Sequence, residues 1–86
     1  MTTIPLKEPI KFGTETIPEL VLRPPKAKDF RKFPASPTTG DMLDLAGQLA
    51  GQPKQVIDEL GVDDMMRVLE EIGIFLQRTP GTGLDP

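Results

Sequence analysis

The chain has 86 residues, a formal net charge of −3 and 37% hydrophobic residues, with ten prolines and eight glycines. This length suits one small domain, whose core is expected to be marginal unless a partner or a second copy buries more surface. The sequence has no cysteine and no histidine. A disulfide framework, a thiolate nucleophile and a thiolate-ligated zinc site are thereby excluded, and the commonest general base is missing.

Residues 4–23 predict a β-hairpin, because apolar and polar side chains alternate along them. Leu20 and Leu22 are expected on one face and Val21 on the other. The turn is expected at residues 13–16, where Gly13 can adopt a positive φ. A two-stranded hairpin is unstable alone in water, so this one is expected to pack on the rest of the chain or on another chain.

Residues 25–78 predict a helical body of three to four helices. After Pro24 and Pro25 end the second strand, a short helix is expected over residues 27–33, with Phe30 and Phe33 on its apolar side. Residues 41–50 and 53–60 predict two more helices. The strongest helical periodicity lies in residues 62–78, where apolar side chains recur at i, i+3, i+4 and i+7.

The predicted fold is therefore α+β, with an N-terminal β-hairpin followed by three to four α-helices. Residues 1–78 are expected to form a single small domain. Residues 79–86 have no periodicity and predict a flexible C-terminal tail.

Pairs of acidic neighbours are the candidates for catalysis or metal binding. No histidine, cysteine or tyrosine is present to complete such a site, and neither a calcium-loop spacing nor a glycine-rich loop before a helix occurs. The pairs are interpreted as helix caps and solvated outer faces, so the chain is predicted not to be an enzyme and to need no metal or cofactor. They are Asp58/Glu59, Asp63/Asp64 and Glu70/Glu71.

The charge is unevenly distributed: residues 1–34 carry a net charge of +3 and residues 35–86 one of −6. The basic segment 23–32, which contains Phe30, is the candidate for nucleic-acid binding. The overall negative charge and the core-facing aromatics argue against it, so no nucleic-acid partner is expected. A small nucleic-acid-binding regulator remains an alternative. The same asymmetry would also let copies of the chain attract one another.

No membrane association is expected, because the longest apolar runs are far shorter than the roughly 20 residues that span a bilayer. The N-terminus does not resemble a secretory signal. These features predict a cytoplasmic protein.

The last helix is the candidate contact surface, since it has more apolar side chains than one buried face requires. Met66, Gly73 and Ile74 lie off its main apolar stripe. They are either buried against the hairpin and the short helices or exposed as a second face for a partner. The predicted partner-binding residues are Met65, Met66, Ile74 and Phe75.

The segments "EPIKFGTETIPELVLRPPKAKDFRKF" and "VDDMMRVLEEIGIFL" are similar to parts of one known family. They resemble the phage tail assembly chaperones of contractile-tailed, Mu-like bacteriophages, and the resemblance covers residues 4–78. The family opens with a proline-led strand, an aromatic-glycine turn, a Glu-Leu-x-Leu-Arg-x-Pro strand and a helix that begins near an acidic residue. The matching positions are Glu8-Pro9-Ile10, Phe12-Gly13, Glu19-Leu20-Val21-Leu22-Arg23 with Pro25, and Asp29.

The resemblance implies a non-enzymatic assembly factor. Members of that family bind and solubilise the tape-measure protein, help to recruit tail-tube subunits, and are absent from the mature virion. The chain is then expected to act in the host bacterial cytoplasm, with self-association as a further possibility. A structural tail subunit that is retained in the particle is the other alternative.

Overall fold

The computed structural model describes residues 1–77, so the predicted tail over residues 79–86 lies outside the described part. A two-stranded hairpin is followed by helices, as the sequence predicts for an α+β fold. The elements are strands β1 (Thr2–Phe12) and β2 (Glu15–Leu22), a 3-10 helix (Ala27–Phe30), and helices α1 (Thr39–Ala50), α2 (Lys54–Ile57) and α3 (Val62–Gln77).

The hairpin strands pair antiparallel around a tight turn at Gly13, which has a φ of 65°. β2 begins at Glu15, so the turn is shorter than the expected residues 13–16. The pairing is continuous from Thr2↔Leu22 to Pro5↔Glu19 and resumes at Ile10↔Ile17. Between these two stretches, residues 6–9 of β1 face only Pro18 of β2, which makes a large β-bulge in β1.

The core lies between the inner face of the hairpin and the three helices. The predicted alternation in β2 is confirmed, because Leu20 and Leu22 are buried whereas Val21 is 38% exposed. The buried apolar residues are Ile4, Leu6, Ile10, Ile17, Leu20 and Leu22 from the hairpin, and Leu45, Ala46, Leu49, Val56, Ile57, Val68 and Ile72 from the helical body.

Two helix boundaries differ from the sequence-based prediction for local reasons. α1 begins at Thr39 rather than residue 41, because Thr38 and Asp41 form a capping box around its first turn. The helix expected over residues 27–33 is a single 3-10 turn, Ala27–Phe30, and Phe33 follows it through a turn hydrogen bond to the carbonyl of Phe30.

α2 is also shorter than the expected residues 53–60, with only the turn Lys54–Ile57 helical. It packs closely on α1 at Gly47, where a Cβ atom would lie 3.1 Å from the Ile57 side chain. This short turn leads to the start of α3, whose first turn contacts the bulge of β1.

Candidate functional site

The basic segment that suggested a nucleic-acid site is organised around a buried carboxylate. Asp29 accepts hydrogen bonds from both terminal nitrogens of Arg23, at 2.8 and 2.7 Å, and from the backbone amide of Lys26 at 2.7 Å. Gln48 on α1 donates a fourth, at 2.6 Å. The Arg23 guanidinium is the main reason that the pKa of Asp29 lies well below its usual range.

The aromatic residues of this corner are turned toward the core rather than toward solvent. Phe30 and Phe33 are half-buried and pack edge to face, with their ring centroids 5.8 Å apart. Lys28, Arg31 and Lys32 remain exposed. Arg23, the least exposed of the basic side chains in this segment, is paired with Asp29. The rings of Phe30 and Phe33 pack against the core and are not available for stacking on nucleic-acid bases. The segment therefore fits a structural corner better than a nucleic-acid site.

A second buried carboxylate joins α3 to the bulge of β1. Asp64 accepts hydrogen bonds from the backbone amides of Lys7 at 2.9 Å and Glu8 at 3.1 Å. These amides lie in the stretch that β2 does not pair with, so the carboxylate replaces missing ladder bonds. The amides of Lys7 and then Glu8 hold the pKa of Asp64 below its ordinary value. The interpretation of Asp64 as part of a solvated outer face was wrong, whereas its neighbour Asp63 is exposed.

α3 is fixed to the rest of the molecule by one face and leaves apolar side chains on the other. Asp64, Val68 and Ile72 are buried against the hairpin and α1. On the outer face, Val62 is 71% exposed and Met66 is 58% exposed. Because Val62 and Met66 lie one turn apart, this face of α3 is a candidate contact surface.

The four predicted partner-binding residues do not share one face of α3. Met66 and Ile74 are exposed, the latter at 36%. Met65 is half-buried, and Phe75 is half-buried and packs against the core. At about 100° of rotation per residue, Met66 and Ile74 point about 80° apart. Met66 and Ile74 are thus accessible to a partner as the chain stands, and Met65 and Phe75 only in part.

Three outer-face residues were missing from the predicted contact set: Val62, Leu69 and Gly73. With Met66 they fall at i, i+4, i+7 and i+11 of α3, within about 60° of arc. Gly73 has open space where a Cβ atom would lie, with nothing within 4 Å. Gly73 itself is half-buried, so it is neither part of the buried core nor fully exposed. Spacing alone would have grouped these residues, but it could not tell which apolar stripe faced the core.

Metal-binding clusters and membrane-spanning helices are both absent from the described part of the chain. Residues 1–77 contain no group of three or more acidic, histidine or cysteine side chains that could hold a metal ion. Within the same residues, no helix is long and apolar enough to cross a membrane.

The described chain is thus a small α+β protein with a hairpin braced by two buried carboxylates and an exposed apolar face on α3. A family model described as phage tail assembly chaperone proteins, E, or 41 or 14, matches residues 3–77. Because this match covers most of the chain, the protein belongs to the phage tail assembly chaperone family. No curated protein and no solved structure matches the chain.

Proposed function

We propose that this chain is a non-enzymatic tail assembly chaperone of a contractile-tailed, Mu-like phage, which binds and solubilises the tape-measure protein. The observation that carries the proposal is the family match over residues 3–77, combined with the exposed apolar face of α3. In this proposal the chain also helps to recruit tail-tube subunits, acts in the host bacterial cytoplasm and is absent from the mature virion.

The exposed apolar side chains supply the physical basis for holding a client. Met66 and Ile74 would lose their remaining contact with water on binding, and burial of such a side chain contributes up to about 1.5–3 kcal/mol. Partly exposed side chains contribute less, and association itself has an entropic cost. A contact of a few such residues therefore gives a hold that is useful yet reversible, as assembly requires.

The proposed contact residues are Met65, Met66, Ile74 and Phe75. Methionine suits a surface that must adapt to a client, because its unbranched thioether side chain fits many shapes. Met65 and Phe75 border the core and would contribute through their exposed edges.

Co-expression with the tape-measure protein from the same genome tests the proposal. The tape-measure protein should move from the insoluble to the soluble fraction when the chain is present, and the two should purify together. If the soluble amount is the same with and without the chain, the proposed function is wrong. Mass spectrometry of purified particles should not detect the chain, whereas stoichiometric amounts of the chain in the particles would indicate a structural tail subunit.

A further inference from the structure

One narrow strip of α3 combines exposure, apolar character and open space. We call Val62, Met66, Leu69 and Gly73 the outer stripe. Val62 and Met66 are largely exposed, and Leu69 is half-buried beside them. Together the four residues run along the outer face of α3, and none of them is among the residues of the buried core.

Nothing in residues 1–77 explains why position 73 of α3 is glycine. It lies inside α3, where glycine destabilises a helix relative to alanine, and its φ is not positive. An added Cβ atom would meet nothing within 4 Å, so packing within the described chain does not require its small size either. A second backbone that approaches α3 at this point would require it.

The charges around the outer stripe indicate what kind of helix fits. Glu70 and Asp63 lie along one edge of the stripe, and Asp63 forms an exposed ion pair with Lys7 at 3.6 Å. Residues 35–77, which contain the stripe, carry a net charge of −6. An antiparallel pair of α3 helices from two copies would place these acidic edges against each other, which is unfavourable. A partner helix with Lys or Arg beside its apolar residues would instead be attracted.

We propose that the outer stripe binds one amphipathic helix of a partner protein, whose apolar stripe is flanked by Lys and Arg residues. The Met66 side chain packs into the apolar stripe of the partner, and Gly73 lets the two backbones approach closely. Glu70 pairs with a base of the partner helix. The proposal rests on the proposed function at one point, which is the identity of the protein that carries this helix. The chemistry of the helix follows from the outer stripe itself.

Two synthetic helical peptides of about 20 residues test the charge requirement with the full chain. They share the same leucine stripe, and one has lysines along its flanks where the other has glutamates. Fluorescence anisotropy at low salt should give at least about tenfold tighter binding of the lysine peptide. Equal binding of both peptides, or binding of neither, would overturn the proposal without bearing on the co-expression result.

Matched substitutions test the placement of the site. Met66→Asp and Glu70→Lys should each weaken binding of the lysine peptide by about tenfold or more. Val21→Asp is the control for Met66, because Val21 is an exposed apolar residue on β2 and not on α3. Glu71→Lys is the control for Glu70, because Glu71 lies on the same helix but outside the outer stripe. If the controls weaken binding as much as the stripe variants do, the site is not the outer stripe.

Gly73→Ala separates stability from binding. Because the site is open, alanine should raise the melting temperature by about 4 °C through its better helix propensity. The same variant should weaken binding of the lysine peptide severalfold. A stabilised variant with unchanged affinity would contradict a close helix contact at Gly73.

Light scattering of the chain alone tests whether a second copy of the chain, rather than a partner helix, binds the outer stripe. The unmodified chain should be monomeric at concentrations where it binds the lysine peptide. A dimer that Met66→Asp converts to a monomer would assign the outer stripe to a second copy and overturn the proposal.

Discussion

Replacement of Asp29 by alanine should be among the most destabilising single changes outside the apolar core. The Asp29 carboxylate is fully buried and accepts four hydrogen bonds, which join the end of β2, the 3-10 helix and α1. The alanine variant leaves the Lys26 amide and the side chains of Arg23 and Gln48 without this acceptor.

The expected cost of Asp29→Ala follows from the exposure of these donors. Arg23 retains 27% side-chain exposure, so it can turn toward water and recover part of its hydration. Hydrogen bonds to a charged group contribute about 1.5–3 kcal/mol. We therefore expect a loss of about 2–3 kcal/mol in the free energy of unfolding, which for a chain of this size lowers the melting temperature by about 10–20 °C.

Thermal and urea unfolding followed by far-UV circular dichroism measure this loss directly. Asp44→Ala is the matched control, because Asp44 is an exposed acid on α1, one turn before Gln48. The control should change the melting temperature by less than about 3 °C. If Asp29→Ala is as mild as Asp44→Ala, Asp29 does not organise the corner, and the nucleic-acid interpretation of segment 23–32 regains support.

The remaining predictions concern Asp64, acid stability and nucleic acid. Asp64→Ala should greatly speed hydrogen exchange at the Lys7 and Glu8 amides, whereas Asp63→Ala, which removes only an exposed ion pair with Lys7, should leave that exchange nearly unchanged. The pKa values of Asp29 and Asp64 are lower in the folded chain than the value of about 3.9 expected for the unfolded chain. Both carboxylates therefore contribute their full stabilisation above the unfolded pKa, and this stabilisation should be lost as the pH falls below the unfolded pKa toward the folded one. Urea midpoints should therefore decrease below about pH 4, and less steeply in Asp29→Asn and Asp64→Asn; equal slopes would contradict the assignment. Gel-shift assays at about 50 mM salt should detect no DNA or RNA binding, and binding that weakens steeply with added salt would support the regulator alternative.

The strands and the long helix could be predicted from the sequence, because each produces a clear pattern among residues that are close together in the chain. The alternation of Leu20, Val21 and Leu22 marks a strand with one buried face, and Gly13 marks its turn. The long apolar periodicity of residues 62–77 marks α3. The boundaries were less accurate where a single side chain decides them, as Thr38 does at the start of α1.

The two buried carboxylates could not be recognised from their neighbours in the chain. Asp64 binds amides 57 and 56 residues away, and its role depends on a bulge that only strand pairing reveals. Asp29 was noted as the acidic residue at the start of a helix, but its contact with Gln48 spans 19 residues. Long-range hydrogen bonds of this kind leave no periodic signal.

The contact surface was predicted only in part for a related reason. Periodicity showed that α3 has more apolar residues than one buried face requires, but it did not show which neighbours would cover them. Met66 and Ile74 are exposed as a contact role requires, whereas Val62 was recognised as a candidate only once the exposed side of the helix was known. The four predicted contact residues remain a prediction until a partner is bound.

Co-expression of the tape-measure protein with the chain and with its Met66→Asp variant tests the central claim most directly. We expect the unmodified chain to keep the tape-measure protein in the soluble fraction and to purify with it. The variant, if it shows an unchanged melting temperature, should lose most of this effect. A tape-measure protein that is equally soluble without the chain would contradict the proposed function, and one that is equally soluble with either form of the chain would contradict the role of α3.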